Sequence, residues 1–416
     1  MKDLKEIVAC VLDYGLFVEN AVQLSETYKH IFYYNPSWKN SFPSSKDLTI
    51  GEGFDNITVI KDFWDYKKYF DLCIFPDIYQ GDLQEELKSQ GIPTWGMGKL
   101  ERLERDRFYA RDWQREMGLP TQKTDKIIGV EGLKKLPKDS HIKLSEYRDD
   151  AESFKQLGNP QMNTFFDSLN LMMGHKKETY EFMVEEHIEG IEPGVDIYTV
   201  DGRYPSIGMF GFEVKDCCYG GKMARVDNFP PPLKKVDDAL KELFTQARTR
   251  GQFSTEVKID KKRQGYLLDF TARLGYPPAQ GQMEIIGNLP EIIWNGANGI
   301  LTEPKIKARY MVEVMMSSDF APKGELAFEF PEKIRKFVKI ANVSKHEGIY
   351  YYIPNKNSKA ESVGAVIGLG NTLEEAMEHC KKNAEQVKAF QLEIDIGSLD
   401  KLKEETEKAK SFGINF

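Results

Sequence analysis

The stretch GQFSTEVKIDKKRQGYLLDFTARLGYPPAQGQ, which runs from Gly251 to Gln282, decides the fold. It contains two runs with the composition of β-strands, Phe253–Ile259 and Tyr266–Phe270, and the KKRQG sequence between them is typical of a turn. The pattern predicts a β-hairpin. The register of such a hairpin can bring Glu256 opposite Asp269.

Polar side chains recur at every second position near the end of this hairpin, at Asp269, Thr271 and Arg273. If the strand continues, alternation places them on one face. Two carboxylates on facing strands suit Mg²⁺, which prefers hard oxygen ligands and bridges one or two carboxylates to nucleotide phosphates. An arginine beside them can bind a carboxylate or a phosphate through two parallel hydrogen bonds. The other interpretation is an ordinary hairpin whose polar residues face water.

The composition is that of a soluble chain with more than one domain. The 416 residues are 41% hydrophobic and 29% charged, which allows a large core. The formal net charge of −8 argues against general nucleic-acid binding, which needs a basic surface. The 5 cysteines show no CxxC spacing, so we expect reduced thiols and a cytoplasmic location. No apolar run is long enough for a membrane-spanning helix, and no membrane partner is expected.

The N-terminal part alternates strand-like and helical segments. The predicted strands are Glu6–Leu12, His30–Tyr34 and Asp71–Phe75, and the predicted helices are Phe17–Tyr28 and Gly81–Gln90. This alternation indicates a parallel α/β sheet, whose ligands lie beyond the carboxyl ends of the strands. No GxGxxG motif follows the first strand, so a dinucleotide is not expected there. Asp77 follows the third strand and can hold an amine or hydroxyl substrate; capping of the next helix is the alternative.

A long amphipathic helix, Glu101–Met117, is predicted next. Lys143 then lies in the short strand sequence HIKLS, between apolar neighbours. A lysine in this position can reach nucleotide phosphates from a covering subdomain, or it can be a surface lysine on an edge strand. Further along the chain, Phe182–Val184 has the composition of a strand that leads into a connecting segment, and such a segment can offer backbone groups to an adenine edge.

Four stretches, taken in order, carry a resemblance to a known family. They are GIPTWGMGKLERLERDRFYARDWQREMGLPT from Gly91, MVEEHIEGIE from Met183, LLDFTARLGYPPAQ from Leu267 and IGLGNTLEEAMEHC from Ile367. The chain resembles the phosphoribosylamine–glycine ligases (glycinamide ribonucleotide synthetases), a branch of the ATP-grasp ligases. The resemblance implies an α/β protein with α+β elements. Its parts are an N-terminal parallel α/β domain (1–103), an ATP-grasp region (104–307) with a lid subdomain at about 122–184, and a C-terminal domain (308–416).

The resemblance also implies roles for individual residues. Arg107 and Lys143 would contact the ATP phosphates, Glu185, Glu186 and Ile188 the adenine, and Glu192 the ribose. Glu256 and Asp269 would bind the metal, with Thr271 in the place of a further family contact, and Arg273 would hold the acyl phosphate or the acid. In the stretch that replaces the family's substrate motif, Lys215, Lys222 and Arg225 remain as cations that can meet phosphates or an acid, and Asp77, noted above, is the other candidate substrate residue.

The sequence departs from the family pattern at several points. Asp269 stands where the family has a second Glu, and Thr271 stands where it has Asn. The loop Glu146–Asp150 lacks the glycines of the usual phosphate flap. The substrate motif DHKR and its glycine-rich loop are replaced by EVKDCCYGGKMARVDNFPPP, and the two acids that follow the family's arginine are lost after Arg273. These changes favour a relative that uses another acid, another amine, or both.

The expected function is therefore an ATP-dependent carboxylate–amine ligase that forms an amide through an acyl phosphate. It would use ATP and Mg²⁺, with Mn²⁺ as a substitute, a small carboxylic acid of the amino-acid class and an amine, and it would be a monomer or homodimer. One alternative is a true glycinamide ribonucleotide synthetase of purine biosynthesis. The other is a non-catalytic nucleotide-binding protein on the same fold.

Overall fold

The computed structural model of the chain describes residues 2–36, 48–145, 153–158, 161–354 and 362–416. Within these ranges the strands form one sheet of five strands, one of ten, one of three and one of four. None of the helices in these ranges is long and apolar enough to cross a membrane.

The N-terminal part forms the predicted parallel sheet. Its strands are β1 Val8–Leu12, β2 His30–Tyr34, β3 Ile57–Ile60, β4 Leu72–Ile74 and β5 Thr94–Trp95, and its helices are α1 Val18–Ser25, α2 Phe63–Tyr66 and α3 Gly81–Ser89. The strands are parallel throughout and lie in the order β3-β2-β1-β4-β5. The parallel α/β prediction is confirmed. Strands β3 and β5 were not predicted, because β3 is partly exposed and β5 has two residues.

The turn after β1 is shaped by an acid. The Asp13 carboxylate accepts hydrogen bonds from the backbone N–H groups of Gly15 and Phe17 and from the Tyr33 hydroxyl. Burial and the nearby Asp77 raise the pKa of Asp13 to about 7. The carboxyl end of the parallel sheet therefore carries buried acidic groups.

The predicted single helix 101–117 is two helices, α4 Arg102–Arg105 and α5 Arg107–Glu116. The break falls at Asp106, which has extended backbone and whose carboxylate accepts a hydrogen bond from the Tyr109 N–H. This is an N-cap, a role that aspartate favours because its oxygen pairs with an otherwise unsatisfied N–H group. The prediction of one continuous helix was wrong for this reason.

The predicted lid contains a four-stranded antiparallel sheet in the region 124–185. Its elements are β6 Thr124–Ile128, α6 Val130–Leu133, β7 His141–Leu144, β8 Ser153–Lys155, α7 Gln161–Met173 and β9 Glu181–Glu185. The strands lie in the order β6-β9-β7-β8. A separate apolar core, which includes Ile142, Phe166 and Phe182, holds helix α7 against this sheet. The lid sheet therefore has its own packing, apart from the rest of the chain.

The ten-stranded sheet is the largest element. Its strands are β10 Gly190–Ile191, β11 Pro193–Val200, β12 Ile207–Val214, β13 Cys218–Arg225, β14 Arg250–Asp260, β15 Gly265–Thr271, β16 Tyr310–Ser318, β18 Val338–Ile340, β21 Ser362–Gly370 and β22 Leu392–Ile394. They lie in the order β10-β14-β11-β12-β13-β16-β21-β18, with β15 beside β14 and β22 beside β16. The sheet is continuous across position 307, so the boundary between the second and third domains remains a prediction about folding units.

Helices and a small sheet complete the fold. The helices are α8 Pro231–Ala247, α9 Ala279–Ile285, α10 Leu289–Ala297, α11 Leu373–Ala384 and α12 Ser398–Ser411, and the small sheet has the strands β17 Leu326–Phe328, β19 Val343–His346 and β20 Ile349–Tyr352. The side chain of Thr372 and that of Glu375 form a capping box at the start of α11.

The two faces of the ten-stranded sheet have different surroundings. Helices α8 and α12 pack on the face to which Thr255 and Val257 point. Ser254 and Glu256 point to the opposite face, since side chains alternate along a strand. Helix α9 packs there, and its Gly281 N–H donates a hydrogen bond to a carboxylate of β16. We call this second side the site face.

Candidate active site

The hairpin β14–β15 places Glu256 directly opposite Asp269. Its turn is closed by Asp260, whose carboxylate accepts hydrogen bonds from the backbone N–H groups of Lys262 and Gln264. The register shifts by one residue just after Glu256, which marks a β-bulge. The hairpin and its register were predicted from the sequence, and both are confirmed.

Asp269 accepts two charged hydrogen bonds from other parts of the fold. Arg107 Nη1, on α5, lies 2.7 Å from Asp269 Oδ1, and Lys143 Nζ, on lid strand β7, lies 2.9 Å from Oδ2. Burial raises the pKa of Asp269, but Lys143 and Arg107 outweigh it and hold the pKa well below its usual range. The two cations predicted to contact ATP phosphates thus converge on one carboxylate.

Arg111 forms the centre of this network, and sequence reasoning missed it. Its guanidinium donates to both carboxylate oxygens of Glu185, at 2.5 and 3.1 Å, and to the backbone carbonyls of Leu267 and Leu268. Lys143 Nζ lies 3.6 Å from the same Glu185 carboxylate. Although burial raises the pKa of Glu185, Arg111 and Lys143 together lower it. Arg111 therefore ties α5 to lid strand β9 and to strand β15, which carries Asp269.

Glu256 is the uncompensated acid of the site. Within the described ranges it makes no hydrogen bond and no ion pair. Burial and the neighbouring acids, which include Asp269, Glu213 and Glu192, raise its pKa to about 8 although Lys215 opposes the shift. Lys215 lies 3.9 Å from Glu213, and Glu256 raises the pKa of its ammonium group. Lys215 is thus electrostatically coupled to the hairpin acids, and its role toward phosphates remains a prediction.

Arg273 is held by acids at the edge of the parallel sheet. Its Nε lies 2.9 Å from Glu104 Oε1 and 3.7 Å from Asp77 Oδ1. The other oxygen of Glu104 accepts a hydrogen bond from the Ala272 N–H. Burial raises the pKa of Glu104 although Arg273 opposes it. The predicted residues Arg273 and Asp77 therefore lie together, joined by Glu104, which the sequence did not single out.

The predicted nucleotide hinge follows strand β9. The Glu185 carboxylate is paired with Arg111 through both oxygens, so the adenine contact predicted for this residue would have to come from its backbone. Glu186 pairs with Lys123 through its backbone and its carboxylate, and Glu192 accepts a hydrogen bond from Lys258 at 3.0 Å. Ile188 lies in the irregular segment between β9 and β10. The adenine and ribose roles of these four residues remain predictions.

The remaining predicted residues lie in different places. Thr271 ends β15 opposite Ser254, two positions from Asp269. Lys222 lies on the sheet face away from Glu256, where its Nζ donates to the Asn415 carbonyl, so the structure does not bring it to the site. Arg225 lies at the far end of β13 from Lys215. The loop 146–150, where a phosphate flap was considered, falls outside the described residues.

Two carboxylates of this site fit a magnesium ion. In the part of the chain that the structure describes, no group of three or more His, Cys, Asp or Glu side chains is placed to hold a metal by itself. Mg²⁺ beside nucleotide phosphates needs one or two carboxylates. Glu256 meets this need, because it has no direct partner and a neighbouring positive charge would relieve its crowding with Asp269. The donor set therefore suits a nucleotide-bound metal.

Of the two missed residues, Arg111 follows Arg107 by four positions on α5, whereas Glu104 lies on α4, before the break at Asp106. Steps of three and four place side chains on one side of a helix. The sequence LERDRFYAR shows this spacing, although it does not identify the partners.

Comparisons with known proteins agree with this architecture. No family model and no curated relative matches the sequence. Phosphoribosylamine–glycine ligase from Thermotoga maritima matches with a TM-score of 0.68 and 16% identity over 93% of this chain and 99% of that chain. An L-amino acid ligase from Bacillus licheniformis matches with a TM-score of 0.61 and 12% identity over 93% of this chain and 99% of that one.

A third match has bound nucleotide. It is the biotin carboxylase domain of the Hydrogenobacter thermophilus 2-oxoglutarate carboxylase, solved with MgADP, ADP and bicarbonate, at a TM-score of 0.68 and 11% identity over 98% of this chain and 96% of that chain. At these identities the matches establish the fold. They confirm the predicted ATP-grasp architecture and the structural resemblance to phosphoribosylamine–glycine ligase.

Proposed function

We propose that the chain is an ATP-dependent carboxylate–amine ligase with a changed acid, amine, or both. A carboxylate oxygen of the acid attacks the γ-phosphorus of ATP, and ADP leaves. The amine nitrogen then attacks the acyl carbon, the bond from that carbon to the phosphate oxygen breaks, and phosphate leaves while the nitrogen loses a proton. The observation that carries the proposal is the convergence of Arg107 and Lys143 on Asp269, opposite Glu256.

The chain supplies positioned charge for this reaction. Phosphoryl transfer depends mainly on positioning and on electrostatic stabilisation. Without nucleotide, Arg107 and Lys143 both pair with the single Asp269 carboxylate, which offsets only one of their two charges. When phosphates enter, the two cations can turn to them, since each donates several hydrogen bonds. Mg²⁺ held by Glu256 and Asp269 would draw charge from the transferred group. Lys215 adds a further positive charge beside the same acids.

The lid is connected to the chemistry through two residues. Lys143 on β7 and Glu185 on β9 both contact the network around Asp269 and Arg111. Movement of the lid therefore changes the position of a phosphate-binding cation. A closed lid would also exclude water from an acyl phosphate, which protects it from hydrolysis.

The surroundings of Arg273 support a changed amine. Asp77 and Glu104 lie directly beside this arginine, and the buried Asp13 lies near Asp77. Like charges repel, so a phosphate group is disfavoured beside these acids, whereas an amine is favoured. This supports a substrate other than phosphoribosylamine. The role predicted for Arg273, holding the acid or its acyl phosphate, would require this side chain to leave Glu104.

The test is ADP release by the purified protein from ATP and Mg²⁺, across a panel of amino acids with and without amines. Release that depends on one acid, with an amide product, is expected. Dependence on glycine and phosphoribosylamine would instead show a glycinamide ribonucleotide synthetase. ATP binding without release for any pair would favour the non-catalytic alternative and contradict the ligase proposal.

A further inference from the structure

We propose that a second site, separate from the ligase centre, binds a small organic anion with an apolar body. A cavity of about 360 Å³ opens on the site face between β12, β13 and the segment that leads into β16. Pockets that bind small molecules begin at roughly this size. Its lining includes three cations, Arg225, Lys307 and Arg309, and none of its lining residues is acidic.

The three cations are available to a ligand. Arg309 forms no ion pair with any residue that the structure describes, and its guanidinium carbon lies 5.7 Å from the centroid of the Tyr310 ring. Arg225 reaches Asp227 at 3.7 Å with both side chains mostly exposed, and Lys307 reaches Glu284 at 3.7 Å. An exposed pair such as Arg225–Asp227 contributes little, and Glu284 already pairs with Lys339 at 2.8 Å. The cavity is therefore a local positive region in a chain whose net charge is −8.

The positive charge of Arg309 also affects the pKa of a neighbouring lysine, Lys222. Lys222 lies on the opposite face of β13, one position before Met223. Burial lowers the pKa of Lys222, and Arg309 lowers it further. An anion in the cavity would relieve this repulsion, which is a reason for the site to favour negative charge.

The floor of the cavity is apolar. Ile207, Met223, Ala224 and Ala308 line it, and Ile306 is a large apolar side chain left 40% exposed at its edge. Guanidinium groups pair with carboxylates or phosphates through two hydrogen bonds, while an apolar floor favours a hydrocarbon part. The combination fits an organic acid or a phosphate ester better than a bare inorganic ion.

The cavity wall is fixed by backbone hydrogen bonds. The Met223 N–H donates to the Arg309 carbonyl, the Lys307 N–H donates to the Ile285 carbonyl, and the Gly287 N–H donates to the Lys305 carbonyl. The cations therefore project from a segment tied to β13 and to the end of α9. A site whose walls are already ordered loses less entropy when a ligand binds.

The sheet register separates this cavity from the ligase centre. Ser254, Asp196, Met209 and Met223 lie in one row across four adjacent strands. Three strand spacings correspond to about 14 Å. A ligand beside Met223 is thus too far from Glu256 to take part in acyl transfer, so the site would serve recognition or regulation.

The test uses calorimetric titration of the full chain with phenyl phosphate and hexanoate, which carry the two anionic groups on apolar bodies. Inorganic phosphate is the probe without a body. The variants are Arg309→Gln and Lys307→Gln, and the matched control is Lys235→Gln, an exposed lysine on α8. Each titration is repeated with saturating ATP and Mg²⁺ to separate the cavity from the nucleotide site.

We expect one of the two organic probes to bind more tightly than inorganic phosphate and to lose about tenfold in affinity in each cavity variant. Lys235→Gln and added ATP should leave that affinity unchanged. The better of the two probes would identify a carboxylate or a phosphate ligand. Absence of binding to the wild type, wild-type affinity in both cavity variants, or displacement by ATP would overturn the proposal and leave the ligase assignment untouched.

Discussion

Lys143 Nζ and Asp269 Oδ2 lie 2.9 Å apart, and this bond joins the lid sheet to the hairpin of the large sheet. The same lysine lies 3.6 Å from Glu185, which Arg111 holds from the other side. Five charged groups from the lid, from α5 and from β15 therefore form one connected network. Because nucleotide phosphates carry negative charge, they compete with Asp269 for its cations, and binding must rearrange this network.

Replacement of Asp269 should abolish turnover without unfolding the protein. Asp269→Ala removes a proposed metal ligand and the acceptor that orders Arg107 and Lys143. We expect ATP turnover to fall by about a hundredfold or more, the order seen when a transition-state charge partner is lost. The measurement is ADP release together with far-ultraviolet circular dichroism. Asp238→Ala, an exposed acid on α8, is the control, and persistent turnover in the Asp269 variant would show that the metal assignment is wrong.

Arg111 should be essential for stability. Arg111→Met leaves the buried Glu185 carboxylate without its bidentate partner and two carbonyls without a donor. Breaking a buried ion pair on one side costs about 3 to 5 kcal/mol. Urea unfolding should show this loss, whereas Arg115→Met, on the exposed side of the same helix, should change the free energy of unfolding by less than about 1 kcal/mol. Equal effects of the two substitutions would contradict the bridging role of Arg111.

Nucleotide affinity in the presence of Mg²⁺ should rise with pH. The pKa of Glu256 is raised to about 8, so the metal-free protein holds a proton there at pH 7. A metal ligand must lose that proton, so binding is opposed below pH 8 and this opposition disappears above it. Titration of ATP with Mg²⁺ at several values between pH 6.5 and 9 checks this.

Glu256→Gln should weaken the binding and remove its pH dependence. Glu242→Gln, at an exposed position of α8, should behave as the wild type. A pH trend that survives in Glu256→Gln would assign the proton to another group.

Glu313 should make the protein less stable as pH rises. It is fully buried on β16, its Oε2 accepts a hydrogen bond from the Gly281 N–H, and burial raises its pKa to about 8 from an ordinary 4.5. Below pH 4.5 the group is protonated in both states and costs nothing. Between pH 4.5 and pH 8 Glu313 is ionised in the unfolded chain but still protonated in the folded protein. The free energy of unfolding therefore declines by on the order of 4 kcal/mol over this range.

Glu313→Gln cannot titrate, so the difference in unfolding free energy between wild type and variant should fall as pH rises from 5 to 8. Chemical denaturation at each pH measures it, and the titrations of other groups cancel in the difference. Parallel stability curves for the two proteins would mean that Glu313 stays ionised inside the fold.

The hairpin could be predicted from the sequence because its determinants are local. Alternation and the KKRQG turn indicate the hairpin itself, whereas the exact pairing of Glu256 with Asp269 depends on the β-bulge after Glu256, since the register nearer the turn would place Leu268 there. The partners of Arg111 could not be predicted in the same way, because Glu185 lies 74 residues further along the chain. Such a contact depends on how α5 and the lid pack, which no short pattern encodes.

The other differences between the sequence predictions and the structure also have either a local cause or a cause in how distant segments pack. The break at Asp106 has a local cause, an N-cap, and a capping residue inside an amphipathic pattern was overlooked. Lys222 and Arg225 were grouped with Lys215 by proximity in sequence, yet a strand turns alternate side chains to opposite faces and carries its ends apart. The N-terminal parallel sheet was predictable, since strands and helices simply alternate.

The order of strands in the large sheet has a consequence for biosynthesis. In the sheet, β13 pairs with β16 and β16 pairs with β21. Strand β13 leaves the ribosome long before β16, and β16 leaves it before β21. Until then the nascent chain presents an unpaired strand edge, which is a template for association with other chains. We therefore expect yield in the cell to respond to growth temperature and to chaperone supply more strongly than the stability of the finished protein would suggest.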